Sequence, residues 1–305
     1  MRQPFDAIPP GGAPRARTVV LSELPKPYVL YGRAATGVIK RNRVVQLPAL
    51  RYVRPAVPLD GLSIDRYARV CGFIPDHGVP LTYPHLLAFP LHLMLLTDPA
   101  FPWSALGLVH IANRIVQRRP LAIGDALRIE VAFDGWRRHD KGHAFALATR
   151  IYRRGEAVWD SDSLYLKRGA ANPQGDPPVP VEFAGPAALA RHSRWQLPPQ
   201  LGRDYANVSG DYNPIHLTAL SAKAFGFPRA IAHGMWTLAR ATSALQPPKP
   251  LASATLAGEF KTPMLLPGEA TFWTASPSLI HRDFEVRDKA AEKPHLRGTI
   301  EWVLR

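Results

Sequence analysis

Asp211 and His216 close the run Asp-Tyr-Asn-Pro-Ile-His at residues 211–216. The Asn213-Pro214 pair interrupts any helix there and predicts a turn that can fold both side chains toward one point. A carboxylate and an imidazole so placed can share one water. His216 can titrate near neutral pH, and a nearby carboxylate would stabilise its protonated form. Which of the two takes the water proton is left open by the sequence. Asn213 serves the turn and can also orient the pair, or the water, through its amide. Gly234 lies just inside an apolar segment that starts near His233 and is expected to be helical. The first amides of a helix lack internal partners and the dipole there favours negative charge, while a glycine lets a carbonyl approach the backbone closely. Gly234 is therefore the candidate oxyanion donor, and His233 is expected to cap or position its turn. A base, an acid and an oxyanion donor are the parts that proton transfer beside a carbonyl requires.

The elements that must hold these residues are duplicated. YARVCGF (67–73) lies over YANVSGD (205–211), matching Tyr67 with Tyr205 and Gly72 with Gly210. YPHLLAFPLHLMLL (83–96) lies over IAHGMWTLARATSAL (231–245), each an apolar helix opened by a histidine, His85 or His233. RRPLAIGD (118–125) then lies over KTPMLLPGE (261–269). Three matches in the same order predict two copies of one domain. Within each copy the expected order is a short irregular lead, one apolar helix, then strands, in the second copy at roughly 253–263, 268–276, 279–287 and 295–304. One buried helix wrapped by an antiparallel sheet is the hotdog arrangement. A single unit leaves a sheet face unpartnered, so the halves should pair within the chain. The expected fold is α+β, a double hotdog: an N-terminal extension 1–24, a degenerate hotdog 25–168, a Pro/Gly-rich linker 169–188 and a catalytic hotdog 189–305.

At this point the sequence resembles the MaoC-type (R)-specific enoyl-CoA hydratases, also called hydratase 2. The matching features are D-x-N-P-x-H at 211–216, Gly226-Phe227, and A-H-G-M at 232–235. The resemblance implies reversible hydration of a trans-2-enoyl thioester to an (R)-3-hydroxyacyl thioester in fatty-acid metabolism, with Asp211 and His216 as the acid/base pair and Gly234 as the oxyanion donor. It also implies a substrate carried on coenzyme A or an acyl carrier protein. The N-terminal half has Phe73 where Asp211 stands and Leu86 where Gly234 stands, so it lacks the chemistry. Phe73, with Phe89, Leu91, Leu93 and Met94 of the apolar helix, can line a tunnel for the acyl tail instead.

The chain carries 38 Lys and Arg against 24 Asp and Glu, a formal charge of +14, which points to an anionic partner. The cations occur as short groups (Lys40-Arg41, Arg118-Arg119, Arg137-Arg138, Arg153-Arg154) without interleaved aromatics, and no nucleic acid is expected as a ligand. Arg229 and Lys261, close in sequence to the motif, are the candidates for binding the phosphates of the carrier. No span of about 20 apolar residues is present, so no membrane span is expected. The N-terminus lacks a secretory apolar core, and the single Cys71 excludes an intrachain disulfide, so a cytoplasmic location is expected. His85, His92, His110, His139 and His143 have no carboxylate or cysteine at ligand spacing, so neither a metal nor a cofactor is expected. A homodimer of double-hotdog chains is the expected assembly. The alternatives are a non-catalytic acyl-thioester-binding hotdog protein and a hotdog thioesterase.

Overall fold

A computed structural model describes residues 16–36, 45–74, 77–169, 175–178, 180, 181, 183, 185 and 188–305. The chain opens with β1 (Arg17–Val20) and α1 (Pro27–Thr36). The first half continues with β2 (Leu50–Pro58), α2 (Gly61–Cys71), α3 (Pro84–Thr97), β3 (Val109–Gln117), β4 (Ala126–His139), β5 (Gly142–Arg153) and β6 (Glu156–Arg168). The second half runs β7 (Ala190–Leu197), α4 (Leu201–Ser209), a 3-10 turn (Pro214–His216), α5 (Ala219–Lys223) and α6 (Gly234–Ala244). It ends on β8 (Leu251–Phe260), β9 (Gly268–Ala275), β10 (His281–Asp288) and β11 (Pro294–Leu304).

All these strands form one sheet in the order β1-β2-β4-β5-β6-β3-β8-β11-β10-β9-β7. β1 joins β2 in parallel, and the halves meet where β3 and β8 pair antiparallel. That junction is where the duplicated sequence places it. With Arg118 laid on Lys261, Arg114 falls on Ala257, and these two residues face each other across the junction. The pair therefore marks the pseudo-twofold axis. Each half wraps its own helix: α3 packs on β2, β4 and β5, and α6 on β10 and β11. The fold is a double hotdog of the α+β class. α3 buries residues around its whole circumference, from Leu86 and Ala88 to Leu91 and Leu95, as an enclosed helix must.

The expected irregular lead is in fact a strand and a helix in each half, β2–α2 and β7–α4. The signal was present. Ile64, Tyr67, Ala68 and Cys71 are the buried face of α2, and Leu201, Tyr205, Ala206 and Ser209 that of α4, both at helical spacing. Asp60 caps α2 by accepting from the Ser63 amide. The matched glycines end the two helices in the left-handed region, Gly72 at φ 76° and Gly210 at φ 74°. α2 and α4 pack on each other through Tyr67 and Tyr205, whose ring centroids are 6.3 Å apart. α6 also binds the end of α2: Trp236 Nε1 donates to the Val70 carbonyl at 3.0 Å, and the Ser243 hydroxyl to that of Cys71 at 2.8 Å. Cys71 is a buried free thiol whose proton affinity burial pushes well up, which leaves it unreactive.

Half of the linker 169–188, and the pair Lys40-Arg41, lie outside the described residues. The other basic groups are met by acids: Arg118 by Asp160, Arg119 by Glu156, Arg137 by Asp134 and Arg153 by Asp125. Among the described residues no helix is long and apolar enough to cross a membrane.

Candidate active site

The left-handed turn at Gly210 throws the chain off the end of α4, and Asp211 is the first residue beyond it. Asn213 then caps the 3-10 turn, its side-chain oxygen accepting from the Ile215 amide, so His216 emerges on the same side. The turn is tied to the segment that leads into α6. Ile231 N donates to Ile215 O at 3.1 Å, and His216 Nδ1 donates to Ile231 O at 2.8 Å. That second bond fixes the tautomer and leaves Nε2 as the ring's basic atom. Gly202 permits the approach, because a Cβ there would lie 1.9 Å from the His216 carbonyl oxygen.

His233 is the residue that caps α6 in sequence position, but its side chain makes no capping bond. It stacks on His216 with ring centroids 3.7 Å apart at 27°, and its Nε2 donates to the Asp211 carbonyl at 3.0 Å. It therefore holds the turn at 211–216 against the start of α6. No side chain caps the start of α6 at Gly234. Phe260 lies over this glycine, and a Cβ there would come within 3.0 Å of its ring.

The Asp211 carboxylate accepts from the Tyr31 hydroxyl at 2.9 Å and from the Asn213 amide at 3.1 Å, both at Oδ1. Burial alone would raise its proton affinity. The imidazoles of His233 and His216, the Asn213 amide and the Tyr31 hydroxyl outweigh burial and hold it below the usual carboxylate range, so it is ionised. Burial lowers His216 below the ordinary imidazole value, partly offset by Asp211 and the Ile231 carbonyl, so it is neutral at neutral pH. The Asp211 side chain keeps 25% of its surface accessible, which is enough for a water to reach it.

Asp211, His216 and His233 bring ligand atoms within 4.8 Å of one another. Each ring bonds a backbone carbonyl through one nitrogen, which leaves His216 Nε2 and His233 Nδ1 as the free ring atoms of the set.

Of the residues singled out in the sequence, the structure gathers Asp211, Asn213, His216 and Gly234. Arg229 is exposed on the segment before Ile231, and its Nη1 donates to Pro267 O at 3.0 Å. Lys261 follows Phe260 and is ion-paired with Glu259. Phe73 is not brought to the site. It stacks on Tyr67 and lines a separate cavity of about 320 Å³ with Leu81, Leu121, Thr242 and Leu245, at the other end of α6. Sequence reasoning missed Tyr31, which reaches Asp211 from 180 residues away, and no local pattern marks it. It also missed Phe260 and the role of the His233 ring.

A model for the MaoC like domain matches residues 176–249, which include the turn, both histidines and α6. The chain is 34% identical over 273 residues to 3-hydroxyacyl-thioester dehydratase X of Mycobacterium tuberculosis, covering 88% of this chain and 95% of that protein. The chain belongs to the MaoC-like dehydratase family. It is also 26% identical over 222 residues to the peroxisomal enoyl-CoA hydratase 2 of Arabidopsis thaliana, covering 67% of this chain and 71% of that one. The crystal structure of HtdX from Mycobacterium tuberculosis superposes with a TM-score of 0.70 at 32% identity, over 83% of this chain and 100% of that chain. The chain is a hydro-lyase.

Proposed function

We propose that this MaoC-like chain interconverts trans-2-enoyl and (R)-3-hydroxyacyl thioesters in fatty-acid metabolism. The observation that carries the reading is the ionised Asp211 carboxylate and the neutral His216 ring held within 4.8 Å of each other in front of the uncapped start of α6. A water bonded to Asp211 and to His216 Nε2 is placed to attack C3 of the bound enoyl group. Its hydroxyl forms the C3–O bond, the C2=C3 pair moves toward the thioester oxygen, and the Gly234 amide stabilises the enolate-like oxygen. The proton that the pair takes from water is delivered to C2, so one water supplies both added groups. Dehydration is the same path reversed.

Several finer points belong to this reading. The carrier is coenzyme A or an acyl carrier protein, with Arg229 and Lys261 at the mouth of the site. The working form is a homodimer in the cytoplasm, and light scattering on the purified chain tests the assembly. The test of the reaction is turnover of crotonyl-, octenoyl- and dodecenoyl-CoA with chiral analysis of the product. Loss of enoyl absorbance with formation of the (R)-alcohol supports it. Release of free thiol from acyl-CoA without hydration would replace it with a thioesterase.

A further inference from the structure

The helix expected to supply an apolar acyl tunnel carries histidines on its buried face. His85 and His92 lie on α3 at 3% and 0% exposure, and His110 on β3 stacks over His85 with centroids 6.1 Å apart. His85 and His92 meet edge to face at 5.3 Å, and His110 stacks on Tyr165 at 4.7 Å. The cluster borders the reaction site. His110 is 5.0 Å from the ring of Phe260, the residue that lies on Gly234, and the charge of Asp211 is felt at His85, His110 and Tyr165.

His92 is satisfied inside the protein, its Nε2 bonded to the Thr149 hydroxyl at 2.8 Å and its Nδ1 to the Tyr165 hydroxyl at 3.4 Å. His85 Nδ1 and His110 Nε2 are buried and meet no hydrogen-bonding partner among the described residues. A buried unpaired ring nitrogen is costly, and leucine or phenylalanine at either position would serve a plain hydrocarbon chain without that cost. Burial brings His85 down to about 4 and His110 to about 3, so both rings are neutral at working pH. A neutral imidazole offers one donor and one acceptor. The rings around the cluster, His92, Tyr165 and Phe260, carry no charge to balance an ionic ligand.

We propose that His85 and His110 form a polar wall of the acyl pocket and that the enzyme selects thioesters whose acyl chain carries a hydroxyl beyond the reacting carbons. A hydroxyl both donates and accepts, so it can bond both nitrogens when at least one of them carries its proton, whereas a carboxylate would be buried near the Asp211 charge with no cation to balance it. The enclosure of His85 and His92 suits the acyl end of the substrate, because the phosphates of the carrier must stay near solvent. The inference rests on the hydratase reading and names the substrate class of that site.

The experiment compares kcat/KM for trans-2-octenoyl-CoA with that for analogues bearing one hydroxyl at successive carbons beyond C3. For the wild type, one hydroxylated isomer should exceed the plain thioester by about tenfold or more, the discrimination expected from a site built to bond a hydroxyl. His85→Leu and His110→Phe should each collapse that ratio toward unity, and His110→Gln should retain part of it. The ratio is read within each variant, so a general loss of folding or turnover cancels. Turnover of the plain thioester by the wild type tests the hydratase reading on its own. The proposal is overturned if no hydroxylated isomer is preferred, or if the variants keep the preference. It is also overturned if they raise KM equally for plain, hydroxylated and pantetheine-truncated thioesters, which would put the histidines on the carrier arm.

Discussion

The Tyr31 hydroxyl donates to Asp211 Oδ1 at 2.9 Å, so a helix of the N-terminal half orients the carboxylate of the C-terminal half. Burial, then the charge of Asp211, pushes the phenol up, and it remains a donor at any working pH. Tyr31 is a positioning residue. Removing a hydrogen bond to a charged group costs about 1.5–3 kcal/mol, so Tyr31→Phe should lower kcat roughly tenfold or more with little change in KM. The acid limb of the kcat/KM profile should also move upward, because Asp211 loses a donor that favours its charged form. An unshifted profile would show that the phenol acts only in packing.

Gly202 and His216 give a second test. A methyl group at residue 202 would meet the His216 carbonyl at 1.9 Å, and neither partner is a flexible side chain. Gly202→Ala should therefore displace the catalytic turn and cost about 100-fold in kcat, in line with the sensitivity of activity to displacements near 1 Å. Hydrogen exchange should rise at residues 211–217 and stay unchanged in β3–β6. Full activity in this variant would mean that the close approach has no role in placing His216.

The buried His85, His92, His216 and His233, with the half-buried His110, make stability depend on pH. His85, His92, His110, His216 and His233 are all pushed by burial below the ordinary imidazole value of 6.5, His85 to about 4 and His110 and His233 to about 3. Below about pH 6.5 the unfolded chain binds more protons than the folded one, so stability is complete above that value and falls as pH drops through 6.5 toward 4. Each such histidine contributes up to about 1.4 kcal/mol per pH unit within its window. Urea melts between about pH 7.5 and pH 5 should show this slope, and His85→Leu should reduce it by roughly one histidine's share. A flat profile across that range would contradict the burial of neutral imidazoles.

The carrier contacts proposed for Arg229 and Lys261 are separable by experiment from the proposed chemistry. Arg229→Ala should raise KM for a coenzyme A thioester several-fold while leaving kcat nearly unchanged, since such contacts are made equally in ground and transition states. Lys261→Ala should do less, because Glu259 already neutralises that ammonium. Both effects should shrink with salt and nearly vanish on a pantetheine thioester that lacks the phosphates. Equal defects on full and truncated thioesters would remove both residues from the carrier site.

Much of this architecture was legible because it is periodic or local. The strands of the second half, the two enclosed helices and the duplication are written in spacing that survives divergence, and the turn at 211–216 follows from Asn213-Pro214. The helical lead in each half was legible too, in the spacing of Ile64, Tyr67, Ala68 and Cys71, but short amphipathic helices are easily read as loops when the eye rests on their glycine caps. Tyr31 and Phe260 were not legible. Each meets the site through a contact between segments far apart in the chain, and nothing in their own neighbourhoods distinguishes them from packing residues. Phe73 shows the converse error: it holds the position of Asp211 in the duplicated sequence, yet the two places lie at different ends of α6.

The central claim, that Asp211 and His216 act as one device on one water, is tested most directly by hydration of crotonyl-CoA in Asp211→Asn, His216→Ala and the double variant, with circular dichroism recorded for each. Groups that act as a unit are strongly non-additive. Each single variant should lose on the order of 100-fold or more in kcat with an unchanged spectrum, as expected for removal of a general acid or base, and the double variant should be little worse than either. Near-wild-type turnover in a folded single variant, or a double variant whose loss is the product of the two single losses, would contradict the account.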